Sequence, residues 1–113
     1  MRAFEIADLI DLRRASGEPW MEFLRVPALS LGVYSLAAGT DDPQSPHGED
    51  EIYYVLAGRG VLQVEGVDRS VQSGSLVFVA ARAKHHFLAI VEDLTALVVF
   101  APAETSEPIP ITR

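Results

Sequence analysis

The sequence predicts an all-β domain, a sandwich or a barrel, and three observations carry the prediction. From Trp20 onward, short runs rich in Val, Ile, Leu, Tyr and Phe recur every few residues, the spacing of strands rather than helices. Turn signals stand between the runs, at Ser16-Gly17-Glu18-Pro19, Gly58-Arg59-Gly60, Gly66 and Ser73-Gly74. Helix signals are nearly absent, and no internal repeat of roughly 20–50 residues interrupts the pattern. At 113 residues the chain makes one domain, 1–113, large enough to bury a core without staples.

Each element follows in order. Phe4 to Leu12 has apolar residues at Ile6, Leu9, Ile10 and Leu12, which suits a short helix or an irregular edge. Trp20–Val26 reads as a strand ended by Pro27. Leu29–Ala38 reads as a second, with Gly32 as a bulge. Gly39–Asp50 is a twelve-residue polar loop carrying Pro43 and Pro46, and loops of that length are usually functional. Strands are then expected at Ile52–Ala57, Val61–Glu65, Val67–Val71, Leu76–Ala81, His86–Val91 and Leu94–Ala101. Gly58-Arg59-Gly60 and Gly66 serve as hairpin breaks between the early pairs, while Ser73-Gly74 and Glu92-Asp93 divide the later ones. The tail APAETSEPIPITR, with three prolines, reads as an extended arm rather than core.

Composition removes several functions. Without cysteine there is no disulfide, thiolate metal site or thiol nucleophile, so any transition metal must sit on imidazole, carboxylate or amide ligands. A net charge of −7 without a Lys/Arg cluster argues against nucleic acid as partner. The amino terminus lacks the continuous apolar stretch of a signal peptide, and every apolar run is shorter than the roughly 20 residues that cross a bilayer. A cytoplasmic protein without a membrane partner is expected. No nucleophile elbow, phosphate-cradling glycine loop or dinucleotide fingerprint is present.

In Ile52–Ala57 both faces are apolar: Tyr53, Val55 and Ala57 share the face of Glu51, while Ile52, Tyr54 and Leu56 lie opposite. Leu76–Ala81 and Leu97–Phe100 repeat this pattern. Strands without alternation are covered on both sides, and so short a chain has little material for a second layer. A homodimer whose subunits cover each other's outer sheet face is expected.

The chemistry-bearing stretch is Pro46–Gly60, PHGEDEIYYVLAGRG, which brings His47 and Glu51 to the root of a strand; Lys84-His85-His86 adds histidines later. These residues resemble the two motifs of a small single-domain cupin. The first runs Gly39, five residues, Ser45-Pro46-His47, three residues, Glu51, six residues, Gly58; every spacing is met, and Ser45 stands where the first histidine is usual. The second opens at Gly74 and brings His85 to the ligand position, with Ala80, Arg82 and Ala89 where proline, glycine and asparagine are usual. The resemblance covers about residues 30–101. It implies a double-stranded β-helix (jelly-roll) barrel with metal ligands His47, Glu51 and His85. Two imidazoles and a carboxylate suit iron(II), zinc, manganese or nickel and leave positions open for water or substrate.

The fourth ligand stays open. Gln44 has the reach and an amide oxygen, Ser45 is a poor ligand, and Pro46 biases Ser45 toward extended backbone. Tyr53, Phe87 and Tyr34 are candidates to line a substrate pocket, with plain core, shared by Trp20, as the alternative. His86 is expected on the opposite face from His85, and Glu49 and Asp50 on a solvated loop face. The resemblance implies a metal-dependent barrel that binds a small organic molecule, as a dioxygenase or isomerase if catalytic. A non-catalytic binding or sensing module is the alternative.

Overall fold

The computed structural model describes residues 1–42 and 46–105. One helix, α1 (Ile6–Ser16), precedes six strands: β1 (Trp20–Val26), β2 (Leu29–Leu36), β3 (Asp50–Val64), β4 (Val67–Gln72), β5 (Leu76–Val79) and β6 (His85–Ala101). The sheet runs β1-β2-β6-β3-β4, with β5 also paired to β3. Every pairing is antiparallel.

The two long strands organise the rest. The first half of β3 lies between β5 and the second half of β6, and its second half lies between β4 and the first half of β6. The layout is therefore two sheets creased across one strand pair: β1-β2-β6-β3-β5 on one side and β6-β3-β4 on the other. Tyr53 and Val55 from the first sheet and Leu62 and Phe87 from the second meet in one core, each 0% exposed. Tyr53 and Phe87 pack edge to face at 4.9 Å between ring centroids.

This corrects the expected strand count. Gly58-Arg59-Gly60 is no hairpin, and Glu92-Asp93 does not divide two strands; β3 and β6 run through them. The register between the two strands shifts over Val55–Val61, and Gly58 sits in that crease with φ 91° and an ideal Cβ position 2.1 Å from the carbonyl oxygen of Asp93. A glycine that lets two backbones approach leaves the same mark in a sequence as one that turns a hairpin. Glu65-Gly66 is the true tight turn, with φ of 48° and 79°, as a two-residue type I′ hairpin requires. Gly32 is not bulged either: the irregularity lies opposite it, between Glu22 and Leu24. Its missing side chain makes room for the Trp20 indole, which a Cβ would meet at 2.2 Å.

Helix α1 packs on β1 and β2 through Leu9 and covers only that end of the outer face. Two apolar rows cross this face in register. Phe78, Ile52, Val99, Leu31 and Leu24 form one, and Leu76, Tyr54, Leu97, Val33 and Met21 the other. Val33 is buried, whereas Leu76 and Phe78, at the end away from the helix, are 69% and 61% exposed. Among the described residues no helix is long and apolar enough to cross a membrane.

Two non-glycine residues at positions of the second motif hold left-handed backbone: Arg82 at φ 70° and Ala89 at φ 48°. Glycine or asparagine adopts this conformation readily, whereas other residues take it at a cost of roughly 1–2 kcal/mol each. Arg82→Gly is therefore expected to raise stability by about 0.5–1 kcal/mol after glycine's own entropy cost. Gly58→Ala, which meets backbone, is expected to lower it by about 2 kcal/mol or more. Thermal unfolding of the two variants checks both signs.

Candidate functional site

The site forms where the two sheets meet at one end of the crease. Glu51 is the second residue of β3, and strand alternation turns it inward with Tyr53 and Val55. His85 opens β6 and turns inward with Phe87. From opposite sheets they meet, Nε2 of His85 lying 2.9 Å from Oε1 of Glu51, with each side chain 2% exposed. Glu51 Oε1 is buried without a hydrogen-bond partner, so the approach is a charge contact. His85 Nδ1 lies 2.8 Å from the carbonyl oxygen of Ala83. A carbonyl only accepts, so Nδ1 carries a proton and Nε2 is the nitrogen that faces Glu51. Burial lowers the His85 pKa, but the Glu51 carboxylate beside Nε2 and the Ala83 carbonyl at Nδ1 outweigh it, and the net shift is upward.

His47 comes from the loop ahead of β3. Its carbonyl accepts the N–H of Arg82 at 2.7 Å, which ties the first motif to the left-handed turn of the second. Its ring packs against Phe100 at 5.2 Å and lies 6.1 Å from the ring of His85. Burial is the main cause that pulls its pKa below the usual histidine value; the nearby His85 adds to this and Glu51 opposes it. Asp42 holds the start of the loop: its carboxylate accepts the Tyr34 hydroxyl at 2.7 Å and the Phe87 N–H at 2.8 Å.

Glu104 was not among the residues expected at the site. It lies on the arm after β6, in the tail expected to stand clear of the core, yet its Oε2 comes within 3.6 Å of His47 Nδ1. Burial, followed by repulsion from Glu49, Glu51 and Glu22, raises its carboxyl pKa to about 7, while Arg25 opposes the rise. With Glu104 partly protonated near neutrality and His47 held neutral by burial, the two make a carboxyl–imidazole contact rather than a full salt bridge. Glu49 is a second correction. It was expected in solvent, but it is 6% exposed with Oε1 unpartnered. Asp50 is exposed as expected and accepts the Ala81 N–H at 2.9 Å. His86 is half-buried beside buried His85.

A cavity of about 140 Å³ opens onto these groups, lined by Trp20, Tyr34, His47, Glu51, Val98, Phe100 and Glu104. Tyr34 is thus a wall of the pocket, as is Trp20. Tyr53 and Phe87 lie beneath it, 0% exposed, with the Tyr53 ring 6.0 Å from that of His85. Gln44 and Ser45 lie outside the described residues. As donor types, His47, Glu51 and His85 fit a divalent transition metal, and the unpartnered Glu51 Oε1 and His47 Nδ1 leave donors for one. As the side chains stand, no group of three or more such donors among the described residues is drawn together around a metal position.

The fold and the motif positions define the class. The cupin domain model matches residues 32–102, and the chain belongs to the cupin family. An uncharacterized protein of Streptomyces coelicolor is 43% identical over 105 residues, 93% of this chain and 100% of that protein. Among solved structures, TT1209 of Thermus thermophilus matches with a TM-score of 0.74 at 24% identity, over 91% of this chain and 99% of that one. The DMSP lyase DddQ of Ruegeria pomeroyi matches with a TM-score of 0.66 at 28% identity, over 76% of this chain and 43% of the lyase. This chain thus spans less than half the length of that enzyme.

The Glu104 carboxyl sets a pH dependence. Its folded pKa of about 7 lies above its ordinary 4.5, so the folded protein binds this proton more tightly than the unfolded chain. That stabilisation is complete below the ordinary value and is lost as pH rises through about 7. For chelator-treated protein, the melting temperature is expected to fall between about pH 5 and about pH 8, and Glu104→Gln to flatten the fall. Melting curves across that range check it.

Proposed function

We propose that this cupin domain holds a divalent transition metal, iron, zinc, manganese or nickel, through His47, Glu51 and His85, and binds a small organic molecule beside it in the barrel mouth. The supporting observation is the buried meeting of Glu51 and His85, in which a carboxylate oxygen lacks a hydrogen-bond partner and the Ala83 carbonyl fixes which imidazole nitrogen faces it. When bound, the metal supplies Lewis-acid or oxygen-activating chemistry. The chain's own residues set the rest. Trp20, Tyr34 and Phe100 give the chamber aromatic walls. Asp42 fixes the Tyr34 hydroxyl. Glu104 holds or releases a proton at its carboxyl oxygen beside His47. At about 140 Å³ the chamber suits a ligand of few heavy atoms rather than a drug-sized one.

If the site is catalytic, dioxygenase and isomerase are the reaction classes we assign first; the lyase named above is an example of a structurally similar protein that is an enzyme. A non-catalytic binding or sensing module is the second reading. It is favoured by the lack of a preassembled donor trio among the described residues, together with Ser45, Arg82 and Ala89 at motif positions. Elemental analysis of untagged protein purified without chelator tests the metal: near-stoichiometric metal is expected, falling at least about tenfold in His85→Ala. No metal in either protein, even after reconstitution, would leave the binding-module reading. Turnover of candidate substrates then separates enzyme from binder.

We also propose that a second copy of this chain covers the outer apolar face. The two rows carry no charged side chain across five strands, and α1 shields only the β1–β2 end, leaving Leu76 and Phe78 bare. A patch of this kind is self-complementary about a two-fold axis. Light scattering at micromolar concentration is expected to give twice the 12.3 kDa chain mass, and Phe78→Glu to return the monomer. A monomeric wild type would overturn this proposal.

A further inference from the structure

Resting on the metal reading above, we propose that Glu104 is the missing donor: a carboxylate from the carboxyl-terminal arm takes the role that Ser45 leaves vacant and completes the cation site with His47, Glu51 and His85. The arm reaches the site by a fixed path. The Ala103 N–H donates to the Pro27 carbonyl at 3.3 Å, the Glu104 N–H donates to Ser30 Oγ at 2.8 Å, and the Arg25 guanidinium donates to the Glu104 carbonyl at 2.6 Å. Ser30 is 0% exposed, so the anchor is part of the barrel wall. With the backbone held on both sides, the side chain lies against the cavity at 19% exposure, its Oε2 3.6 Å from His47 Nδ1.

The surroundings call for a cation. Glu51 lines the same cavity at 2% exposure with Oε1 unpartnered, and Glu49, close enough to repel Glu104, is 6% exposed with Oε1 also unpartnered. His47 Nδ1, the atom facing Glu104, is likewise buried without a hydrogen-bond partner. Arg25 does not neutralise these acids through its hydrogen bonds, because its guanidinium is engaged with the Glu22 carboxylate and with the backbone carbonyl of Glu104. Buried charges are ordinarily paired or coordinate metals, and here one oxygen of Glu49 and one of Glu51 have no hydrogen bond. A set of imidazole and carboxylate donors suits a divalent first-row ion.

The test is titration of chelator-treated full-length protein with Co²⁺, read by calorimetry and by visible absorption, which reports coordination without any assay of activity. Glu104→Ala and Glu104→Gln are compared with wild type and with Gln44→Ala, and circular dichroism verifies that each is folded. The expected result is a loss of affinity of about tenfold or more in both Glu104 variants, with a changed cobalt spectrum, while Gln44→Ala retains both. If wild type binds Co²⁺ and the Glu104 variants match it in affinity and spectrum, the role given to Glu104 is overturned and the metal reading stands. If Gln44→Ala alone weakens binding, the fourth donor is Gln44. If folded wild type binds no Co²⁺, the metal reading fails and this inference fails with it.

Discussion

The rest of the structure depends on the pairing of β3 with β6. Both strands are long enough to serve two sheets, and they stay paired from Asp50–Ala101 at one end to Val64–His85 at the other. Folding that ribbon across itself places the first residues of each strand on facing walls. Glu51 and His85, whose α-carbons are far apart along the ribbon, meet across the interior at 2.9 Å. The crease requires a close approach of backbones, which Gly58 allows. The fold and the site therefore share one cause: the geometry that closes the core over Tyr53, Leu62 and Phe87 also brings the carboxylate to the imidazole.

The loop and the arm are added to this frame by backbone bonds rather than by packing alone. Asp42 bridges β2 and β6 through Tyr34 and Phe87, and the Arg82 N–H reaches the His47 carbonyl. Arg82 makes that bond from a conformation unfavourable to it. A left-handed arginine held in place by this bond shows the surrounding structure over-determining a strained residue. The same economy holds at Glu104, where three bonds to the arm's backbone fix a side chain that carries a charge cost.

What was legible in the sequence divides along physical lines. Strand geometry put Glu51, Tyr53 and Val55 on one face, but which face turns inward was not legible, because both are apolar. The same pattern revealed the apolar outer face, since Ile52, Tyr54, Leu76 and Phe78 stand where polar residues are usual. The lengths of β3 and β6 were not legible: a glycine in a crease and a glycine in a hairpin differ only in tertiary context. Glu104 was hidden for a related reason. A proline-rich tail carries no periodic signal, and its path is set by Ser30, Pro27 and Arg25, residues more than seventy positions away. Glu49 looked like any loop acid, and its burial at 6% exposure is a matter of tertiary context.

A cavity bordered by buried acids is an expensive feature in a domain of this size, where total stability is only about 5–15 kcal/mol. Desolvating a carboxylate without a partner costs several kcal/mol unless the charge is neutralised by a proton or a cation. Glu104 shows the first solution, with its pKa raised to about 7. On the proposed reading a metal is the second, and it acts on donors drawn from four separate segments: the loop at His47, the roots of β3 and β6, and the arm. In the unfolded chain those donors are dispersed, so an ion would bind the folded state almost exclusively and stabilise it by mass action. The acids that weaken the empty barrel are then the groups through which the ion would hold loop, strands and arm together.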